Sequence, residues 1–211
     1  MPDLAAALRA VLPPGVALGV APGQGQGRGP DEPLWPGEDL PGAVPGRLAE
    51  FARGRSAARA ALRGLGVAAV AIPMQADRSP LWPDGVTGSI SHCAGACLAI
   101  AGRRTDLAGL GLDVEPAAPL DRDLWPVILR PEEMATADPL AVFVAKEAAY
   151  KAQYALTGVL FDFQTLSVDL HAGGFAATFR RGVGRFATGH RLTGRLVRTA
   201  GHTAALCAIP A

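Results

Sequence analysis

The chain has 211 residues, of which 49% are hydrophobic and 18% are charged, and its net charge at neutral pH is +1. This composition indicates a globular, core-forming protein and excludes a disordered or fibrous one. The near-zero charge gives no general attraction to nucleic acid or to a membrane surface, so a polyanionic ligand must be bound by a local basic site. No apolar run approaches the roughly 20 residues that a membrane-spanning helix requires.

Two features predict the compartment of the protein. Asp3 stands where a secretion signal would carry basic residues. Cys93, Cys97 and Cys207 form an odd set, which fits reduced thiols better than a framework of disulfide bonds. We therefore expect a cytoplasmic protein with neither a nucleic-acid partner nor a membrane span.

The first part of the chain predicts a long loop, a helix and a short strand. Residues 13–46 are rich in Gly and Pro and predict irregular structure. From Arg47 to Leu65 apolar residues recur at helical spacing, and Gly66 then predicts the end of the helix. The apolar residues 67–72 predict a buried strand.

The middle of the chain predicts three strands. Residues 88–92 and 96–102 are joined by residues 93–95 and predict a β-hairpin. Residues 110–115 predict a third strand, which Pro116 ends.

The last part of the chain predicts one helix followed by sheet. The helix runs from Pro139 to Leu156, with Asp138 as its N-cap and Gly158 as its stop. Beyond it, apolar residues alternate with a period of two, which predicts strands. The order helix, strands, helix, strands predicts an α+β fold of two similar halves, residues 1–105 and 106–211.

Two acidic residues within Gly111–Glu115 are candidates for a metal site. Asp113 and Glu115 are two positions apart in the predicted strand, so their side chains point to the same face. Two adjacent carboxylates suit Mg²⁺, which completes its octahedron with water and phosphate oxygens. The alternative is an acidic pair at an exposed strand end that is merely solvated.

Both lysines of the chain lie in one helical segment. The chain has 18 arginines and only two lysines, Lys146 and Lys151, which bracket Glu147. A lysine retained where basic positions are otherwise arginine suggests a site that needs a compact ammonium group. Glu147 and Lys151 are four apart and share a helix face, so the alternative is an ordinary exposed ion pair.

Ser91 and His92, at the end of a predicted strand, are candidates for phosphate binding through a hydroxyl and an imidazole. A capped turn with a half-buried histidine is the alternative. A Ser–His nucleophile pair is disfavoured because adjacent strand residues point to opposite faces. A zinc site with Cys93 and Cys97 lacks a fourth ligand.

Arginines at helical spacing form a basic stripe that consists of Arg55, Arg59 and Arg63. Such a stripe is either the solvated side of an amphipathic helix or a surface that grips phosphate oxygens. Residues 23–29 are rich in glycine, but they lack the sequence context of a phosphate-binding loop.

Three motifs, in this order, resemble the 4′-phosphopantetheinyl transferase superfamily: Gly88–His92, Gly111–Glu115 and Phe143–Lys151. The closer resemblance is to the monomeric surfactin-synthetase-activator type, and within it to the enterobactin-synthetase component D group. The helix and turn motifs of that group are matched by Glu50–Leu62 and Pro80–Ser89. The resemblance covers residues 47–154.

The resemblance implies a reaction and its cofactors. The protein would transfer 4′-phosphopantetheine from coenzyme A to a serine of an apo acyl, peptidyl or aryl carrier protein and release 3′,5′-ADP. The carrier would serve siderophore, polyketide or nonribosomal peptide synthesis. Asp113, Glu115 and Glu147 would hold Mg²⁺, with Mn²⁺ as the alternative. Glu147 would also be the general base, directly or through water.

The resemblance also implies which residues bind coenzyme A. Lys146 and Lys151 would act in catalysis and meet the pyrophosphate. The nucleotide and its 3′-phosphate would be surrounded by Arg47, Arg55, Arg78, Ser91 and His92. The active site would lie in the cleft between two pseudo-symmetric halves, and the chain would be a monomer.

Two other hypotheses stay open from the sequence. An inactive relative would bind coenzyme A or a carrier protein without reaction, but it would have no need to retain Asp113, Glu115, Glu147 and Lys151 together. A metal-dependent phosphohydrolase would use the same carboxylates on water, but no further His or Asp cluster supports it.

Overall fold

Two antiparallel sheets, each packed against one long helix, build the fold. The structure is a computed structural model that describes residues 2–21 and 33–211. None of the helices in these two ranges is both long and apolar enough to cross a membrane.

The first half of the chain contains two helices and a three-stranded sheet. Helix α1 and strand β1 come before the undescribed segment, and helix α2 and strands β2 and β3 follow it. Their bounds are Pro2–Arg9 for α1, Val16–Val20 for β1, Pro45–Gly64 for α2, Val86–Cys93 for β2 and Ala96–Arg103 for β3. The strand order is β1-β3-β2.

The second half contains a five-stranded sheet, a short helix and a long helix. Their bounds are Leu107–Pro116 for β4, Trp125–Ile128 for α3, Pro139–Thr157 for α4, Leu166–His171 for β5, Gly174–Phe179 for β6, Arg191–Arg198 for β7 and His202–Pro210 for β8. Single 3₁₀ turns flank α3 and precede β5. The strand order is β4-β8-β7-β6-β5.

The two halves share a topological plan. In each, the strand before the long helix is an edge strand, and it pairs antiparallel with the last strand of that half: β1 with β3 and β4 with β8. This repeated plan supports the expected pseudo-symmetric α+β fold.

A glycine in each of these edge strands lets the long helix approach closely. A Cβ built on Gly19 would lie 1.9 Å from the carbonyl oxygen of Ala57 in α2. A Cβ on Gly111 would lie 1.9 Å from the carbonyl oxygen of Ala148 in α4. Only glycine fits where two backbones come this close.

The core consists of three apolar clusters. One lies between α4 and the five-stranded sheet, and another lies between α2 and the three-stranded sheet. The third contains residues of α1, β3, β4 and β8, including Leu4, Leu98 and Leu206, and it joins the two sheets. The halves are therefore held together by buried apolar surface, which is the main stabilising contribution in folded proteins.

The boundaries of α4 follow from local chemistry, as the sequence predicts. The side chain of Asp138 accepts a hydrogen bond of 2.9 Å from the backbone N–H of Ala141, and Pro139 occupies the first turn. Gly158 closes the helix with a left-handed φ of 62°. The helix over 47–65 and the hairpin of β2 and β3 are also confirmed.

Other elements differ from the sequence predictions. Residues 67–72 form no strand, and this extended segment is held by side chains of other elements. Strand β1 lies within the region 13–46 that was expected to be irregular, because it pairs with β3 at long range. Residues 22–32 of that region, including the glycine-rich stretch, lie outside the described residues.

Candidate active site

Asp113 is the centre of a polar group where the two halves meet. Its side chain is buried, and its Oδ1 accepts hydrogen bonds from Ser91 Oγ at 3.1 Å and from Lys151 Nζ at 2.6 Å. Its Oδ2 is also buried but has no hydrogen-bond partner among the described residues. A buried carboxylate oxygen without a partner is costly unless a ligand or ion satisfies it.

Two serines of β2 bring that strand next to β4. Ser89 Oγ accepts a hydrogen bond of 3.0 Å from the Leu112 N–H, and Ser91 Oγ accepts one of 3.1 Å from the Val114 N–H. Both pairs are separated by 23 residues, which means that the two strands run in the same direction. Serine hydroxyls thus replace the backbone hydrogen bonds of a sheet ladder at this junction.

The expected role of Ser91 requires a correction. Its hydroxyl has one proton, and that proton is donated to Asp113. Ser91 therefore does not offer a donor to a phosphate group in this arrangement. It positions Asp113 and fixes β2 against β4 instead.

Glu115 and Glu147 lie close enough to Asp113 to interact with it electrostatically. Burial, together with the charge of Asp113, raises the pKa of Glu115 above its usual value. Burial also raises the pKa of Glu147, while the ammonium of Lys151 opposes the shift. Neither carboxylate makes a side-chain hydrogen bond to another described residue, so both have free oxygen atoms.

A three-ligand metal site is not preformed. Within residues 2–21 and 33–211, no group of three His, Cys, Asp or Glu side chains is arranged to hold a metal ion. The orphaned Oδ2 of Asp113 nevertheless fits a hard cation, because such a cation would satisfy the buried oxygen. Mg²⁺ commonly uses one or two carboxylates and takes its other ligands from water and substrate phosphates.

The two lysines have different surroundings. Lys151 Nζ, whose side chain is 28% exposed, contacts Asp113 and donates a hydrogen bond of 3.2 Å to the carbonyl of Leu112. Lys146 Nζ is buried and donates to Ile128 O at 2.7 Å, to Glu133 Oε2 at 2.6 Å and to Phe163 O at 3.1 Å. An ammonium group has three protons, so these contacts use all three of them.

The expectation that Lys146 binds phosphate is therefore replaced by a structural role, because its ammonium group has no proton left for a phosphate. Its partner Glu133 also accepts hydrogen bonds from the backbone N–H groups of Arg130 and Val168. The buried pair thus ties α4 to β5 and to the turn that precedes α4. The sequence gives no local signal for the pairing of Glu133 with Lys146, because the two residues are 13 positions apart.

Arg47, Arg55 and His92 form a basic group on the other half. Arg47 Nη1 lies 3.3 Å from His92 Nε2 and 3.0 Å from Glu50 Oε2. Because an arginine can only donate, Nε2 of His92 is the acceptor. Burial lowers the pKa of His92, which favours this neutral form at pH 7.

Arg55 is held in place from two sides. Its Nε donates a hydrogen bond of 2.8 Å to the carbonyl of Ile72, and its guanidinium lies 3.9 Å from the ring centroid of Phe51. Burial lowers the pKa of Arg55 to about 10, which leaves it charged at neutral pH. Its Nη2 is buried without a partner among the described residues, and such a charged donor is costly unless a ligand satisfies it.

Two cavities flank Tyr150 of α4. The larger, of about 660 Å³, is lined by Arg78, Arg104, Tyr150 and Lys151, among others. The smaller, of about 120 Å³, is lined by Glu147, Phe161 and Phe163, among others. Arg78 adopts a left-handed backbone conformation with φ of 70°, which is uncommon for a residue with a side chain. Arg78 and Lys151 thus line the same cavity.

Comparisons with known proteins identify the family. Residues 36–102 match the 4′-phosphopantetheinyl transferase N-terminal domain, and residues 109–207 match the 4′-phosphopantetheinyl transferase superfamily. The chain belongs to this superfamily, as its motifs indicated, and it is a transferase. The family moves 4′-phosphopantetheine from coenzyme A to carrier proteins.

Individual relatives agree with this assignment. The chain is 40% identical over 166 residues to the 4′-phosphopantetheinyl transferase Svp of Streptomyces mobaraensis, which covers 70% of this chain and 68% of the relative. It is 40% identical over 124 residues to PptT of Mycobacterium tuberculosis, covering 54% and 55%. It is 36% identical over 133 residues to enterobactin synthase component D of Escherichia coli K12, covering 57% and 62%. The chain thus spans between about half and two thirds of the length of these relatives.

Proposed function

We propose that this chain attaches the phosphopantetheine of coenzyme A to a serine of a carrier protein at the polar group around Asp113. The observation that carries this assignment is the contact of Lys151 with Asp113. Asp113 also has a buried oxygen, Oδ2, without a partner among the described residues, and burial raises the pKa of both Glu115 and Glu147 nearby. The carrier belongs to siderophore, polyketide or nonribosomal peptide synthesis.

The basic group of the first half binds the nucleotide end of coenzyme A. Arg47, Arg55 and His92 surround its 3′-phosphate, and the orphaned Nη2 of Arg55 is the strongest support for this role. Arginine is suited to it because its planar fork matches phosphate oxygens. Arg78 contacts the coenzyme from the cavity that it shares with Lys151.

The transfer is a displacement at the phosphorus that carries pantetheine. The serine oxygen forms a bond to this phosphorus, the bond to the bridging pyrophosphate oxygen breaks, and 3′,5′-ADP leaves with that oxygen. The serine proton passes to Glu147, directly or through a water molecule. Glu147 is suited to this role because its carboxylate makes no side-chain hydrogen bond to another described residue.

Lys151 stabilises the charge that develops on the leaving group. It is partly exposed and lies beside the carboxylates, so its ammonium can meet a pyrophosphate oxygen while it stays near Asp113. Fixed charges directed at the developing charge are the main source of catalysis in phosphoryl transfer.

Asp113, with Glu115 and Glu147, would hold Mg²⁺, with Mn²⁺ as the alternative ion. When bound, such an ion would offset the negative charge of the phosphate oxygens. The residues of the chain supply the ligands and keep Asp113 in place through Ser91 and Lys151.

The cleft lies where residues 1–105 meet residues 106–211, and one chain supplies both sides of it. The hydrogen bonds between β4 and the two serines Ser89 and Ser91 support this placement, because they join the two sheets beside Asp113. A chain that supplies both sides of the cleft acts as a monomer in this proposal, and the odd set of three cysteines favours the cytoplasm as its compartment.

One assay tests this function. The protein is incubated with Mg²⁺, coenzyme A and an apo carrier protein, and the carrier is weighed by mass spectrometry. The expected result is a mass increase of one phosphopantetheine with equimolar release of 3′,5′-ADP. Phosphate release without the mass increase would indicate a phosphohydrolase, and no reaction would indicate an inactive binding module.

A further inference from the structure

A buried ion pair between Glu38 and Arg59 is linked through Ile72 to Arg55 of the basic group. Glu38, which lies within the Gly- and Pro-rich region 13–46, is 1% exposed, and Arg59 of α2 is fully buried. Arg59 Nη1 donates a hydrogen bond to Glu38 Oε2, and the Arg59 guanidinium lies 4.6 Å from the ring of Trp35. Burying two charges is costly, and such a pair persists when further hydrogen bonds satisfy it.

Both carboxylate oxygens of Glu38 hold backbone groups. Oε2 also accepts a hydrogen bond of 2.9 Å from the Trp35 N–H, and Oε1 accepts one of 2.8 Å from the Ile72 N–H. Glu38 thus fixes the extended segment that contains Ile72, although this segment belongs to no sheet.

The same segment determines where Arg55 is held. Ile72 makes both hydrogen bonds through its backbone. Its N–H donates to Glu38, and its carbonyl accepts from Arg55 Nε. The charge of Glu38 also partly opposes the effect of burial on the pKa of Arg55. Glu38 therefore acts on Arg55 through one backbone residue and through its charge.

We infer that Glu38 is a positioning residue for the nucleotide end of coenzyme A. It acts through Ile72 to present the orphaned Nη2 of Arg55 to the 3′-phosphate. This inference rests on the proposed role of Arg55. Glu38 itself touches no substrate, and its effect is confined to ligands that carry the 3′-phosphate.

Binding of two ligands tests the inference without the transfer reaction. Affinities for coenzyme A and for 3′-dephospho-coenzyme A are measured by calorimetry for the wild type, Glu38→Gln, Arg55→Ala and the double variant. We expect the wild type to bind coenzyme A more tightly than 3′-dephospho-coenzyme A. In Glu38→Gln the ratio of the two affinities should fall by about tenfold, which is the size expected for a lost hydrogen bond to a charged group. Affinity for 3′-dephospho-coenzyme A should change little, and the double variant should match Arg55→Ala.

Two further variants separate positioning from loss of stability. Glu133→Gln breaks a second buried ion pair, with Lys146, so it should lower stability but retain the preference for coenzyme A. If Glu38→Gln does not fold, Glu38→Asp retains the charge beside Arg59 and draws the carboxylate back from the Ile72 N–H. This variant should show the same lost preference.

Three results would overturn the inference. They are a wild type that binds both ligands equally, a Glu38 variant that weakens both ligands to the same degree, and additive effects of Glu38→Gln and Arg55→Ala. Failure of the proposed function has a different outcome, since a chain that modifies no carrier protein can still bind coenzyme A with this preference.

Discussion

At the scale of single residues, Lys146 and Lys151 differ in role although they lie on one helix. Five helical positions rotate a side chain by roughly 140° around the axis, so the two lysines cannot share a face. Glu147 and Lys151 are four apart and do share one. The sequence therefore predicted the grouping of Glu147 with Lys151. It missed the buried role of Lys146 because Glu133, Ile128 and Phe163 are brought to it only by the tertiary fold.

Replacing each lysine by methionine should separate these roles. Lys146→Met leaves Glu133 buried without its cation and should lower the free energy of unfolding by about 3–5 kcal/mol. Lys151→Met should lower kcat by about 100-fold, as for a lost donor to a developing charge, with a smaller loss of stability. Urea unfolding and initial rates of carrier modification measure both effects. A Lys151→Met enzyme with wild-type kcat would contradict the assignment.

At the scale of elements, the sequence predicts the helices and strands that have a regular spacing of apolar residues. It does not predict the segments whose structure depends on pairing with distant residues. Helices α2 and α4 and the β2–β3 hairpin have clear local signals and were predicted. Residues 67–72 are apolar enough for a strand but have no partner strand, and contacts of Ile72 with Glu38 and Arg55 hold them. Such contacts, like the hydroxyls of Ser89 and Ser91 between β2 and β4, leave no periodic pattern.

The close contact of β4 with α4 gives a prediction for Gly111. Gly111→Ala would place a methyl group 1.9 Å from the Ala148 carbonyl, so the strand and helix must separate. We expect a loss of about 1–3 kcal/mol in the free energy of unfolding and a lower kcat, because Asp113 and Glu147 lie on these two elements.

Gly46→Ala is the matched control for Gly111→Ala. Gly46 lies in the first turn of α2 and has open space around its Cβ position. This substitution should leave stability unchanged or raise it by up to about 1 kcal/mol, because alanine reduces the entropy of the unfolded chain. Equal effects of the two substitutions, measured by thermal unfolding, would show that the β4–α4 contact imposes no constraint.

At the scale of the whole molecule, one chain carries both groups of residues that we propose as the site. The carboxylates lie on β4 and α4, whereas Arg47, Arg55 and His92 lie on α2 and β2. We therefore expect sedimentation of the active protein to give the mass of a single 211-residue chain. A rate per chain that rises with enzyme concentration would contradict this, because it would mean that a second copy completes the site.

In the proposed reaction, the carboxylate group around Asp113 performs the transfer with Glu147 as its base. The most direct test of this proposal is the rate at which Glu147→Gln converts apo carrier to holo carrier at saturating coenzyme A, with folding verified by thermal unfolding. Loss of a general base lowers rates by roughly 10²- to 10⁴-fold, so we predict a decrease of at least about 100-fold. A folded Glu147→Gln protein that modifies the carrier at the wild-type rate would contradict the account.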